Sequence, residues 1–198
     1  MVLSFDRQLT YHCLLHLFLV CAQPTKAEMK ELFYNYPKKF KASTQHAESY
    51  YVLQKDLYAV HGEVPAVCKA AIIASIEDGK IVVCKGNPNE LPPSVDHSTL
   101  TPVYTLGGNG LLAVPTGLIL IRYTDNIVAI SRKQAIQSIG YIIDQPLAYA
   151  PQAAWLKAAN GDIAFALNNT SQLEAQTDVE NVEPQMLMEP VRRAIPVH

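Results

Sequence analysis

Residues 118–188 set short β-prone runs and helical runs in an order that few chain paths can satisfy. The runs 118–123, 141–148, 153–158 and 179–188 read as strands. Helical spacing fills the first and third gaps between them, and a Pro-containing turn around Pro151 fills the second. Ser131-Arg-Lys-Gln134 has the spacing of a capping box, in which hydroxyl and amide satisfy the first free N–H groups of a helix. Ala135, Ile136 and Ile139 give that helix an apolar face, and Gly140 stands where a left-handed terminator belongs. Asn160-Gly161-Asp162 closes the third strand and caps a second helix, whose buried side is Ile163, Ala166, Leu167 and Thr170. Pro146 puts the second strand at a sheet edge. The expected fold class is α+β: a ferredoxin-like βαββαβ sandwich over residues 117–188.

The first half is less strongly patterned. Aromatic residues flank a polar, proline-containing turn from Phe33 to Phe40, and β-prone pieces follow at 49–53 and 57–60. Residues 64–76 are apolar and Ala-rich with Pro65 in the first turn, which predicts a helix stopped by Asp78-Gly79. A short strand at 81–84 completes a smaller α+β unit over residues 31–85. Prolines and glycines then dominate 86–116, which reads as a linker with one extended piece at 102–105. Gly107-Gly108-Asn109-Gly110 lacks the Lys and Ser/Thr of a phosphate loop and reads as a tight turn.

Composition removes some function classes. The 198 residues carry a net charge of −2, and the densest basic run, Lys38-Lys39-Phe40-Lys41, is too short for a nucleic-acid footprint. His12 and His16 stand at i and i+4 inside an apolar stretch without a carboxylate, which makes a poor metal site. No metal or other cofactor is expected. The apolar run 13–22 after Arg7, with Val20 and Ala22 at signal-peptidase spacing, marks residues 1–30 as a candidate leader and favours export over a cytoplasmic location. No segment is long enough to span a membrane. Of the four cysteines, Cys68 and Cys84 either pair or sit as two buried thiols, the reading preferred from sequence.

The second half resembles the propeptides of subtilisin-like serine proteases. The resemblance rests on the entry Val114-Pro-Thr-Gly-Leu-Ile-Leu-Ile-Arg-Tyr123, the helix end Ile139-Gly140-Tyr141, the strand Ala154-Trp-Leu-Lys157 before Asp162, and the exit Val179-Glu-Asn-Val-Glu-Pro184. The aromatic segment Phe33 to Phe40 and the extended Pro102-Val-Tyr104 are similar to the longer prepro regions of fervidolysin-type bacterial subtilases.

The resemblance implies a non-catalytic role, as an inhibitor or folding chaperone whose protease partner holds the C-terminal peptide in its substrate cleft like a product. The residues implied for that contact are Pro184, Gln185, Met186, Leu187, Met188 and Glu189, in an extended tail that continues over 189–198. Residues 186–193 would reach about 25 Å when fully extended, enough to cross a cleft. Met186 and Leu187 read equally well as the end of the core strand. The Asp, His and Ser motifs of a subtilase catalytic domain do not occur, His61-Gly62 being a His-Gly without partners, so the chain is not expected to be an enzyme. The alternative is a stand-alone α+β binding or structural module, or a truncated protease remnant, with no protease partner.

Overall fold

The computed structural model describes residues 31–46, 48–107 and 110–188. They form an α+β structure built on a mostly antiparallel sheet. In chain order the elements are β1 (Lys39–Lys41), β2 (Tyr50–His61), α1 (Ala66–Lys69), β3 (Ile72–Ile76), β4 (Ile81–Lys85), β5 (Leu100–Leu106) and β6 (Leu112–Tyr123). There follow α2 (Lys133–Ser138), β7 (Tyr141–Pro146), β8 (Ala153–Ala158), α3 (Ile163–Asn168), α4 (Thr170–Glu174) and β9 (Val179–Met188). The sheet runs β3-β4-β2-β5-β6-β8-β7, with β1 added to β2 and β9 to the other side of β6.

Two long strands make this one sheet rather than two units in series. β2 pairs with β4 through its second half and with β5 along most of its length. Across the β2–β5 pair the register shifts between Gln54 and Tyr58, opposite Pro102 and Val103. A proline has no N–H to give a central ladder, and an irregularity in the facing strand absorbs the missing bond. Residues 102–105, expected as one extended piece within a linker, therefore lie in a buried central strand, β5. The first strand of the second half also starts earlier than its apolar run suggests. β6 begins at Leu112, pairs with β5 at Ala113 and Leu112, and runs on through Pro115 and Gly117 to meet β8.

The expected helix over 64–76 is corrected. Only Ala66–Lys69 is helical, and Ile72–Ile76 is a strand on β4. β-branched Ile72, Ile73 and Ile76 favour a pleated surface, and a four-residue helix cannot sustain itself by propensity. Cys68 and Cys84, one on α1 and one on β4, are joined in a disulfide with Cα atoms 5.9 Å apart. The reading of two separate thiols gives way to a covalent tie between the helix and the sheet. The capping box at Ser131 is also corrected. Ser131 lies inside a 3-10 turn, Ala129–Arg132, and its hydroxyl donates backward to the Val128 carbonyl at 2.7 Å.

Among the described residues the core falls into three clusters. The largest gathers Ile119, Ile121 and Tyr123 of β6, Leu156 of β8 and Val182 of β9 under Ile136 of α2, Ala166 and Leu167 of α3, and Leu173 of α4. A second holds Ala59, Ala74, Ile76, Ile81, Val83, Val103 and Val114. The third lies on the other face of the β2–β4 region, where Tyr58, Val60, Val82 and Leu100 pack with the disulfide. Among the described residues no helix is long and apolar enough to cross a membrane.

Candidate functional site

The residues singled out in sequence converge on β9. It pairs with β6 and with no second strand among the described residues, so its outer side is a sheet edge. The first part of that edge is covered. The Thr44 N–H donates to the Val182 carbonyl at 3.1 Å, and the Val182 N–H donates to Thr44 Oγ1 at 3.1 Å. Ser43 Oγ donates to the buried Asn181 side chain at 2.8 Å. Since both backbone groups of Val182 point away from β6, strand alternation brings those of Met186 and Met188 to the same outer edge.

Five of the six tail residues lie inside the strand. Pro184 is buried opposite Ile119. Gln185 is tied to β6 by Thr116, whose hydroxyl donates to Gln185 Oε1 at 2.9 Å. Met186, opposite Pro115, packs against the largest cluster, and Leu187, opposite Val114, packs against the second. Met188 pairs with Ala113 and is 39% exposed. Glu189 and the remaining tail, like the leader with His12, His16, Cys13 and Cys21, lie outside the described residues. Sequence reading missed that Met186 and Leu187 point into two different clusters. Their neighbours come from β6 and from strands far earlier in the chain, which no local pattern reveals.

β9 borders a second surface. Along β6, Leu118 and Leu120 alternate with the buried Ile119 and Ile121, so they face away from the helices and are half-buried. Leu120 stands between Trp155 on β8 and Glu183 on β9. Two ion pairs frame this strip: Arg122 with Glu180 at 2.9 Å and Lys157 with Asp144 at 2.6 Å. The result is a shallow apolar strip on the side of the sheet away from α2, α3 and α4, rimmed by charge.

The other candidates for chemistry have structural partners. A ring nitrogen of His61 lies 2.8 Å from Thr101 Oγ1 on the neighbouring strand. Burial lowers its pKa, partly offset by the nearby carboxylate of Glu77. Asp162 accepts from the N–H groups of Ala164 at 2.8 Å and Phe165 at 3.2 Å, capping α3. Asp178 pairs with Arg132 at 2.7 Å. The amides of Asn168 and Asn169 donate to backbone carbonyls of Ala164 and Phe165. A groove of about 740 Å³ between α1 and the 92–99 loop is lined by apolar Val64, Pro65, Val67, Pro92 and Val95 and by polar Glu63, Lys69, Ser94, Asp96 and Thr99. Among the described residues no group of His, Cys, Asp and Glu has the arrangement of a metal site. No protein-family model, curated protein or solved structure matches the chain.

Proposed function

We propose that the chain is a non-catalytic, propeptide-like domain that inhibits a subtilisin-like serine protease or assists its folding. In this reading the strand order β9-β6-β8-β7, crossed by α2 and by α3–α4, is a ferredoxin-like unit acting as a platform. The apolar strip of Leu118, Leu120 and Trp155 rests on the protease surface. The peptide that leaves β9 at Met188 enters the substrate cleft and adds main-chain hydrogen bonds there. The observation that carries the proposal is the position of Met188, exposed at the end of an edge strand that borders an open, half-apolar sheet face.

The packing of β9 narrows the contact. Met186 and Leu187 have their side chains in the core, so specificity pockets are filled from Met188 and Glu189 onward rather than by the whole 184–189 segment. The Cys68–Cys84 disulfide supports an oxidising compartment, in keeping with an exported partner. A second reading has its own observation. The same commitment of Met186 and Leu187 to the core suits a stand-alone structural or binding module, whose last strand merely completes the sheet.

Inhibition assays against a panel of subtilisin-type proteases separate the two readings. The intact chain is expected to inhibit at least one member in a slow, tight manner. A chain ending at Met188 is expected to keep its fold and lose most of that inhibition, and Trp155→Ala is expected to weaken it. Absence of inhibition across the panel, or full inhibition by the shortened chain, would overturn the product-like tail.

A further inference from the structure

Among the described residues the sheet has four outer strands, β1, β3, β7 and β9, and three carry protection against pairing with another chain. β1 is only three residues long and exposes Lys39 and Lys41. β7 ends in exposed Asp144, Gln145 and Pro146, and Asp144 is held by Lys157. β9 is covered by Ser43 and Thr44 along its first part. Charge, proline and covering loops are the usual means of blunting a sheet edge. β3 has neither charge nor proline in its sequence, Ile72-Ile-Ala-Ser-Ile76, and among the described residues pairs only with β4. Its register shift between Ile72 and Ala74 leaves a regular run from Ala74 to Ile76.

The backbone of this edge is available. The Lys85 N–H donates to the Ala71 carbonyl at 2.8 Å, so alternation along β4 turns Val83 and Ile81 toward β3. Ser75, opposite Val82, is thereby left with its N–H and C=O directed outward. Apolar side chains surround it: Ile72 is 42% exposed, Ile73 49%, and Val67 on the adjoining α1 51%. Solvent exposure of three large aliphatic groups beside an unpaired strand is the composition of an interface core.

We propose that β3 pairs antiparallel with β3 of a second copy of this chain, joining two sheets across a two-fold axis near Ala74. The charges at the strand ends favour this occupant. Lys69 precedes β3, and Glu77 and Asp78 come directly after it. An antiparallel pair centred on Ala74 sets Ile73 beside Ser75 of the other copy, and Ile72 beside Ile76. It brings the Lys69 end of each strand to the Glu77–Asp78 end of its mate. A parallel pair would instead stack like charges at both ends, which is unfavourable. Self-complementarity of this kind is what a closed two-fold interface requires.

Sedimentation velocity on the intact chain over a range of concentrations tests the pairing, with circular dichroism confirming that each variant is folded. A monomer–dimer equilibrium without larger species is expected. Ile73→Lys, at an exposed position, should weaken the dimer at least about tenfold. Lys69→Glu should also weaken it by placing like charges together, and the double change Lys69→Glu with Glu77→Lys should restore it. A chain that stays monomeric throughout, open-ended assembly, or a dimer indifferent to these changes would each overturn the proposal.

Discussion

Gly140 shows how much a single position can constrain this fold. Its φ of +86° ends α2, and a Cβ built there would lie 2.7 Å from the Phe165 ring on α3. Two demands therefore meet in one residue: a left-handed backbone and a close approach between the end of α2 and α3. Gly140→Ala is expected to cost roughly 2–3 kcal/mol, read as a lower urea midpoint with unchanged slope. The adjacent Tyr141 is buried, its hydroxyl donating to the Ala166 carbonyl at 2.7 Å and its ring centred 5.7 Å from that of Phe165. Tyr141→Phe removes the donor and leaves that carbonyl unpaired, for an expected loss of about 1–2 kcal/mol in the same titration. The terminator role of Gly140 was legible in sequence because it is local. Its contact with Phe165 was not, since that depends on how the two helices pack.

At the scale of elements, the readings that held were those in which local chemistry and tertiary demand agree. Asp162 caps α3 as its sequence context indicates, and Asp162→Ala is expected to lower stability by about 1 kcal/mol. Ala153–Ala158 forms β8 within its expected bounds because alternation and turn residues mark both ends. The segment after Pro65 failed for the opposite reason. Its alanines suit a helix, but Ile72, Ile73 and Ile76 suit a strand, and β4 supplied the partner that decided between them. Here the disulfide matters most, since a four-residue helix has no stability of its own. It closes a loop with a sequence separation of 16. Replacing Cys68 and Cys84 by Ala is therefore expected to cost about 3 kcal/mol. Hydrogen exchange should locate the first loss of protection in α1 and β3, while β6 and β8 remain protected.

The whole molecule depends on β9 more than its terminal place in the described chain suggests. Leu187 closes a cluster made largely by β2, β3, β4 and β5, and Met186 closes the one beneath the helices. One strand thus links the two halves of the sheet through side chains on opposite faces, while Thr116 holds it at Gln185. Composition and periodicity placed this strand correctly, yet they could not assign its end to the core or to a partner. That distinction lies in contacts across the full length of the sheet. A chain ending at Gln185 loses both side chains and the ladder from Ala113 to Pro115, whereas one ending at Met188 loses none of these. Removal of two partly buried aliphatic groups with their strand pairing should lower stability by about 3–5 kcal/mol. Thermal and urea unfolding of the two truncated chains measures the difference directly. Similar midpoints for both would mean that Met186 and Leu187 contribute little to the fold. Residues 186–189 would then be free to serve a partner, as the sequence alone allowed.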